Sequence, residues 1–366
     1  MRALHIMASG EHGGGADHLV GLLPELVELG TDCAAAVGSD GPLRGRLRQQ
    51  GIDVHHVELM HSRVDPLAAA RLGTVATELS PDIVHTHGTR AAFYWALARI
   101  RCPHLPPAVY TAHGLAFRKS DRLPSSILFH AAEAVACRGA AHVISVSRRD
   151  LDDLIRRRLV PVARGTHVPN AVDVRRFAGG DRAAARERLA LPADGFVVGT
   201  VSRLVAQKSV GDLVAAVERC PGAHLVVVGD GDLRARVEAG AVDLGKRAHF
   251  LGARDDVPQI LPAFDVFALS SRWEGEPIAL LEAMAAGLPI VATATEGAVE
   301  ILADSGAGLL VEIGSPEGLA TAITRLMERP DDRRRMGEVG RRLVAGRSWA
   351  RAASAVDGVY RGVLRL

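Results

Sequence analysis

Two glutamates, Glu274 and Glu282, lie either side of a Gly-x-Pro turn in the stretch S-S-R-W-E-G-E-P-I-A-L-L-E. A carboxylate with no neighbouring cation only accepts hydrogen bonds, so a pair in one site suits the hydroxyls of a sugar or a ribose. Pro277 fits the first position of a helix, and the free N–H groups of a helix start favour an anion such as phosphate. The stretch predicts a site for a ligand rich in hydroxyls and phosphate. An ordinary helix with two solvated glutamates is the alternative.

Two cations, Arg203 and Lys208, follow another apolar run in T-V-S-R-L-V-A-Q-K. Arginine binds phosphate oxygens as a planar fork and lysine binds them as a point charge. Together with helix N–H groups they would stabilise a departing phosphate in place of a metal ion. Taken alone, such a pair is more often part of a solvated surface.

Glycine-rich turns follow two of the apolar runs. Gly14 and Gly15 stand before a helix predicted to begin near Ala16, and small residues there let a backbone approach a ligand closely. Gly229 and Gly231 belong to G-D-G-D, where we expect the second aspartate, Asp232, near a helix cap. Neither turn matches G-x-G-x-x-G or a Walker loop, and a tight turn without a ligand is the alternative.

Histidines end several predicted strands of the first half. The H-x-H of His85 and His87 is compatible with a metal ion, but no third ligand of fitting spacing is evident, so we expect no metal and structural roles for both. His113, which precedes a glycine, is predicted to donate a hydrogen bond to substrate.

Short apolar runs alternate with helical patterns along the whole chain, which predicts two doubly wound, Rossmann-like α/β domains facing a cleft. The expected domains cover residues 1–175 and 176–346, with a polar linker around 173–182 and a final segment at 347–366. The predicted strands are Ala3–Met7, Cys33–Val37, Ile83–His85, Val109–Ala112, Val143–Val146 and Thr166–Val168, then Phe196–Val201, His224–Val228, His249–Leu251, Val266–Leu269, Ile290–Ala292 and Gly308–Val311.

Composition narrows the function classes. A length of 366 residues with 48% hydrophobic and 23% charged residues is ordinary for a globular protein of two domains. The net charge of +2 and the aromatic content of 4% argue against nucleic acid as a partner. Four scattered cysteines indicate free thiols in a reducing compartment, and neither a secretory signal nor a membrane span is evident. We therefore expect a cytoplasmic protein, with attachment to the inner face of the membrane as a variant of that expectation.

The motifs resemble, in their order, those of the retaining glycosyltransferases of family 4. They include G-G-G, H-T-H-G, T-A-H-G, I-S-V-S, V-P-N-A-V-D, G-T-V-S-R-L-x-x-x-K, V-V-V-G-D-G and E-G-x-P-x-x-x-L-E-A-M-A-A-G-L-P-I-V-A-T. The resemblance covers nearly the whole chain, and its most specific element is the E-x7-E spacing with the Arg/Lys pair upstream. Two positions depart from the family pattern: Glu276-Pro277 stands where Phe-Gly is common, and Ala171 stands where P-N-G-V-D has glycine. If that last position needs a positive φ, Ala171 would be strained.

The resemblance implies the GT-B fold, with acceptor bound by the first domain, nucleotide-sugar bound by the second and a last helix crossing back to the first. It also implies a metal-independent hexosyltransferase that needs no cofactor and in which the leaving phosphate helps to deprotonate the acceptor. The residues implied as catalytic or donor-binding are Arg203 and Lys208 (diphosphate), Glu282 (ribose), Glu274 (donor sugar), His113 (sugar), Gly14 and Gly15 (phosphates), Gly229, Gly231, and the turn of Gly275, Glu276, Pro277, Ile278, Ala279 and Leu280.

The substrates are less specified than the fold. A UDP-sugar is favoured as donor on family frequency, with GDP-mannose second, and the acceptor is a glycan, a lipid or a small molecule of bacterial glycan, glycolipid or glycoside synthesis. The basic segment Phe117-Arg118-Lys119 suggests contact with a membrane surface. A nucleotide-sugar 2-epimerase and a non-catalytic partner of the same fold are the alternatives, and a dinucleotide oxidoreductase is disfavoured because G-x-G-x-x-G is missing.

Overall fold

The chain forms two compact units in a computed structural model that describes residues 1–39, 41–59, 65, 67–115, 117 and 123–366. The first unit comprises Met1–Asn170 and Trp349–Leu366, and the second comprises Ala171–Ser348. The sequence placed these boundaries at residues 175 and 346, so each differs by a few residues from the observed one.

The first unit is built on a seven-stranded parallel sheet. Its strands are β1 (Arg2–Met7), β2 (Asp32–Val37), β3 (Asp53–His56), β4 (Ile83–His87), β5 (Ala108–Ala112), β6 (His142–Ser145) and β7 (Gly165–His167). Its helices before the second unit are α1 (Gly14–Glu28), α2 (Pro42–Gln49), α3 (Ala68–Leu79), α4 (Thr89–Arg101), α5 (Leu123–Gly139) and α6 (Arg148–Arg156). The strand order is β3-β2-β1-β4-β5-β6-β7, so the order reverses between β1 and β4. Ligands of open α/β sheets bind at such a switch point, beyond the carboxyl ends of the strands.

The second unit repeats the architecture with six parallel strands. They are β8 (Phe196–Val201), β9 (Ala223–Val228), β10 (Ala248–Gly252), β11 (Val266–Leu269), β12 (Ile290–Thr293) and β13 (Gly308–Val311), in the order β10-β9-β8-β11-β12-β13. The helices are α7 (Val174–Phe177), α8 (Arg182–Arg188), α9 (Val210–Glu218), α10 (Arg234–Gly240), α11 (Val257–Ile260), α12 (Ile278–Ala285), α13 (Glu296–Leu302), α14 (Pro316–Glu328) and α15 (Pro330–Val344). Here the strand order reverses between β8 and β11, which places a second switch point at their carboxyl ends.

All twelve predicted strands are present in the described residues, and the predicted doubly wound class is confirmed. Strands such as β5 and β11 are buried at every position, as continuous apolar runs in a parallel sheet covered on both faces require. The sequence missed β3, an edge strand of only four residues with the polar sequence D-V-H-H.

The segment expected to be a polar linker is part of the second unit. Asp173 accepts hydrogen bonds from the amides of Arg175 and Arg176 and so caps α7, while Phe177 is buried in the hydrophobic core of that unit. Ala171 is buried and is not among the described residues with positive φ, so the strain considered for that position is not present.

The last helix, α16 (Trp349–Leu364), packs on α1 within the first unit, as the predicted fold requires. A Cβ atom at Gly21 of α1 would lie 2.1 Å from the Trp349 indole, so glycine is needed for the two helices to approach. Further along α16, the buried Tyr360 hydroxyl lies 2.6 Å from Nδ1 of His85 on β4. Within the described part of the chain, no helix is both long and apolar enough to cross a membrane.

Candidate functional site

Two loops at the switch point of the second unit hold each other in place. One follows β8 and carries Arg203 and Lys208, and the other follows β11 and carries Glu274. The Arg272 amide donates to the Gln207 carbonyl (2.8 Å), and the Gln207 side chain donates to the Trp273 carbonyl (2.9 Å). The two loops therefore form one hydrogen-bonded structure, which brings together residues that are far apart in sequence.

Lys208 and Glu274 form an ion pair at the centre of this structure. Lys208 Nζ and the Ser271 hydroxyl both lie 2.5 Å from Glu274 Oε1, and the two charged side chains are only 17% and 7% exposed. The sequence reasoning gave the glutamates no cation from their own stretch and named Arg203 and Lys208 as the charges that they lack; the fold brings Lys208 to Glu274 from another strand end. Ser271 was not predicted, although its hydroxyl three residues before the glutamate is a typical turn partner.

Arg203 is exposed and makes no ion pair with any residue described by the structure. The loop that carries Arg203 packs on the glycine turn after β9, where the Leu204 amide donates to the Asp230 carbonyl (2.8 Å). Gly229 has φ 133°, and a Cβ atom there would lie 2.0 Å from the Ser202 carbonyl oxygen. At Gly231 the corresponding approach is 2.6 Å, so both glycines allow this loop to pack, and their contact with a donor stays a prediction.

Asp232 does not cap the following helix. Leu233 precedes α10, and no side chain caps that helix. Asp230 organises the turn instead, since its carboxylate accepts from the Gly231 amide and from the Arg234 guanidinium, both at 2.8 Å. These two donors, the amide first, lower the pKa of the Asp230 carboxyl below its usual value.

The helix start at the glutamate turn lies one residue later than predicted. Pro277 immediately precedes α12, and Ile278 and Ala279 form the first turn, whose N–H groups have no partner inside a helix. The Leu280 amide donates to the Pro277 carbonyl (3.2 Å), so this predicted donor-binding group is already engaged in the turn. Glu282 lies one turn further along α12 and is half-buried.

Glu276, predicted to bind the donor, is ion-paired with Arg347 and almost fully buried, and its contact with a donor stays a prediction. Arg347 is 71 residues away in sequence, and its carbonyl also accepts from the Val172 amide (2.9 Å). The departure of Glu276 from the family pattern is therefore matched by a cation within the same unit. The neighbouring Gly275 carbonyl packs against α13, where a Cβ atom at Gly297 would lie 1.8 Å from it.

In the first unit, the predicted residues lie around β1, β4 and β5. Helix α1 begins at Gly14, earlier than predicted, so Gly14 and Gly15 both lie in its first turn. A Cβ atom at Gly14 would meet open space, whereas one at Gly15 would lie 3.2 Å from the Met7 side chain. The close packing at this turn is thus with Met7 of β1.

His113, itself half-buried, lies beside a group of buried imidazoles. His87 Nδ1 lies 3.3 Å from His113 Nε2, and His87 Nε2 lies 3.1 Å from His5 Nδ1. His18, on α1, is the fourth member, with ring centroids 4.7 Å from His113. Desolvation by burial, the main cause, lowers the pKa of His18 to about 4 and that of His87 well below its usual value.

The argument that H-x-H lacks a third ligand is therefore wrong, because His5 and His18 both lie beside His87. The sequence reasoning missed them because neighbouring strands and helices supply them. The signals were a histidine inside the apolar run of β1, and a histidine on the same stripe of α1 as Leu22 and Leu26.

The segment around Phe117, predicted to contact a membrane surface, exposes little apolar surface in its described residues. Leu115 and Phe117 are buried, and the Arg157 guanidinium lies 4.8 Å from the centre of the Phe117 ring. Arg118 and Lys119 lie outside the described residues.

Comparisons with known proteins match both units. The family described as Glycosyltransferase Family 4 matches residues 12–176, and that described as Glycosyl transferases group 1 matches residues 181–343. UDP-Gal:alpha-D-GlcNAc-diphosphoundecaprenol alpha-1,3-galactosyltransferase of Escherichia coli is 30% identical over 68% of this chain and 66% of its own length. D-inositol 3-phosphate glycosyltransferase of Salinispora arenicola is 30% identical over 76% of this chain and 68% of its own length. This chain thus spans about two thirds of the length of each relative.

Solved structures agree on the fold. HepE of Anabaena in complex with UDP-glucose superposes with a TM-score of 0.87 at 23% identity and covers 99% of this chain and 100% of its own. The two sheets with their switch points, the two family matches and the relatives lead to one conclusion: the chain belongs to the glycosyltransferases and has the GT-B fold.

Proposed function

We propose that this protein transfers a sugar from a nucleotide-diphosphate sugar to an acceptor hydroxyl, with the donor bound at the β8/β11 switch point. The observation that carries the proposal is the Lys208–Glu274 pair with Ser271, on the two loops that also carry Arg203, which has no ion pair among the described residues, and that lead into α12. This arrangement offers cations and amide donors for a diphosphate beside a fixed carboxylate for sugar hydroxyls.

Lys208 has enough hydrogen-bond donors to bind Glu274 and a phosphate oxygen of the donor at the same time. An ammonium group has three N–H donors, and one of them is used by Glu274 Oε1. Lys208 can therefore keep Glu274 in position while donating to a phosphate oxygen. Arg203 would supply a second, forked contact, and Glu282 would accept from the ribose hydroxyls.

We further propose that transfer retains the anomeric configuration and needs no metal ion. Glu274 Oε1 is engaged by both Lys208 and Ser271, so this oxygen is held as a hydrogen-bond acceptor and is poorly suited to attack the sugar. The leaving phosphate would then take the acceptor proton, and the cations would stabilise the charge it develops. The anomeric configuration of the product, read by NMR, and activity in the presence of a chelator test these two points separately.

A UDP-sugar is the proposed donor, with GDP-mannose as the second choice. The E. coli relative is named for UDP-Gal and the Anabaena structure contains UDP-glucose, whereas a relative in Corynebacterium glutamicum is named as GDP-mannose-dependent. The test is release of the nucleoside diphosphate from UDP-, GDP- and ADP-sugars, with and without acceptors. Release that never requires an acceptor would instead favour an epimerase or hydrolase.

The proposed acceptor is linked to a lipid and is reached from the cytoplasmic face of a membrane. The E. coli relative is named for a diphosphoundecaprenol acceptor, and α5 of this chain exposes Ile127 and Leu128 by 68% and 64%. Ile127→Ser/Leu128→Ser should weaken sedimentation with anionic liposomes at low salt, whereas Ile100→Ser, at an equally exposed position of α4, should not. Absence of sedimentation by the unmodified protein would refute the membrane contact and leave the transfer reaction open.

A further inference from the structure

Five imidazoles lie close together in the first unit: those of His5, His18, His85, His87 and His113. The ring centroids of His85 and His87 are 4.2 Å apart, and those of His87 and His113 are 5.6 Å apart. Strands β1 and β4 and helix α1 supply four of the rings, and His113 directly follows β5. Among the described residues, two groups of three place their ring nitrogens within 4.8 Å of one another: His5, His85, His87 and His18, His87, His113.

The first group is used by the fold. His85 Nδ1 lies 2.6 Å from the Tyr360 hydroxyl, and its Nε2 lies 2.6 Å from the Thr111 hydroxyl. Both nitrogens of His85 thus have hydrogen-bond partners, and the ring joins α16 to the sheet. Neither ring nitrogen of His85 is therefore available to bind a metal ion.

The second group has a nitrogen without a partner. His18 Nδ1 lies 2.9 Å from the Asn170 side-chain oxygen, which can only accept, so the Nδ1 proton is donated there. His18 Nε2 is then a bare lone pair, and it is buried with no hydrogen-bond partner among the residues that the structure describes. Metal-binding histidines are oriented in the same way, by a second partner that accepts from the other ring nitrogen.

The spacing of the other two nitrogens fits a tetrahedral ion. With metal–nitrogen bonds of about 2.0–2.1 Å, two ligands of a tetrahedral zinc ion lie about 3.3–3.4 Å apart. His87 Nδ1 and His113 Nε2 are 3.3 Å apart, and His87 Nε2 can then donate to His5 Nδ1 at 3.1 Å.

We propose that His18, His87 and His113 form a binding site for a divalent cation of the Zn²⁺ class. An all-imidazole set suits Zn²⁺, Co²⁺ or Ni²⁺ and disfavours Mg²⁺ and Ca²⁺, which prefer oxygen ligands. Three imidazoles leave a fourth position of a tetrahedral ion for a water molecule or another small ligand.

The site has a consequence for activity that rests on the proposed function. His113 is the predicted hydrogen-bond donor to substrate. A bound cation would occupy His113 Nε2, the nitrogen that lies 3.3 Å from His87 Nδ1, and would fix the orientation of the His113 ring. Zn²⁺ would therefore inhibit a transferase that itself needs no metal. Binding of the ion does not depend on that role and is measured without any sugar nucleotide.

The test is a titration of the chelator-treated full-length protein with Zn²⁺, in competition with a chromophoric chelator, and with Co²⁺, whose visible absorption reports tetrahedral geometry. We expect one ion per chain, and affinity reduced at least about tenfold in His18→Gln and in His113→Gln. Asn170→Ala, which removes the group that orients His18, should weaken binding by about 10- to 100-fold. His249→Gln is the matched control, because His249 lies 3.5 Å from His224 in a pair of the second unit that has no third ligand among the described residues.

Circular dichroism identifies any variant that fails to fold. If His18→Gln does not fold, His113→Gln still tests the site, because His113 is only half-buried and its replacement disturbs the core less. The proposal is overturned if the unmodified protein binds no stoichiometric Zn²⁺, or if His113→Gln binds it as tightly. Stoichiometric Zn²⁺ binding by a protein that shows no transferase activity in its metal-free state would count against the proposed function alone.

Discussion

Replacing Lys208 by alanine should cost both activity and stability, and the two effects can be separated. Removing one donor that stabilises developing charge typically lowers the rate by about 100- to 1000-fold, or about 3–4 kcal/mol. Lys208 also neutralises Glu274, whose side chain is only 7% exposed. Breaking a buried ion pair costs about 3–5 kcal/mol, and the 17% exposure of Lys208 places this pair near the lower end.

A double-mutant cycle distinguishes the two contributions. Glu274→Gln keeps the shape of the side chain and an acceptor for the Ser271 hydroxyl, so Lys208→Ala/Glu274→Gln should recover most of the lost stability. Its transfer activity should remain at least about 100-fold below that of the unmodified protein. Lys246→Ala, at an exposed position of the same unit, should change neither property.

The assays are urea denaturation followed by circular dichroism and release of nucleoside diphosphate in the presence of acceptor. Lys208→Ala that retains most activity would refute the assignment of the β8/β11 site. A double variant as unstable as Lys208→Ala would refute the argument that an uncompensated Glu274 causes the loss of stability.

Three further outcomes follow from the contacts. Arg186→Met should lower the free energy of unfolding of the second unit by about 3 kcal/mol in urea denaturation, because the Arg186 side chain is only 2% exposed and pairs with the buried Asp265. Arg182 pairs with the same aspartate but is 47% exposed, so Arg182→Met should cost less than about 1 kcal/mol. Gly21→Ala should lower the melting temperature by forcing α1 and α16 apart, whereas Gly358→Ala, with open space at its Cβ, should raise it slightly; equal melting temperatures would contradict the packing. Arg203→Ala should lower kcat/KM by at least about tenfold with unchanged stability, since it is exposed and unpaired within the described structure.

The sequence predicted those features that depend on local pattern. Runs such as F-V-V-G-T-V of β8 and V-F-A-L of β11 are apolar because both faces of a parallel strand are buried, so their position was readable. The start of α12 was readable to within one residue from its proline. The positions of Arg203, Lys208 and Glu274 at strand ends then followed from the topology.

The remaining features depend on long-range pairing that no local pattern encodes. Lys208 pairs with Glu274 across 66 residues and Glu276 pairs with Arg347 across 71. The sequence placed Lys208 in the same site as Glu274 but predicted neither of these direct ion pairs. His18 joins His87 and His113 because α1 packs beside the sheet. Asp230 rather than Asp232 organises its turn because the amide it reaches is that of the next residue.

The most direct test of the central claim is calorimetric titration of UDP, GDP and ADP into the unmodified protein and into the Arg203→Ala/Lys208→Ala variant. A nucleotide-sugar transferase with its diphosphate site at the β8/β11 switch point should bind one of the three stoichiometrically. That binding should weaken by at least about tenfold in the variant, because the two cations proposed to bind the diphosphate are lost. Binding of none of the three, or equal binding by a folded variant, would contradict the account.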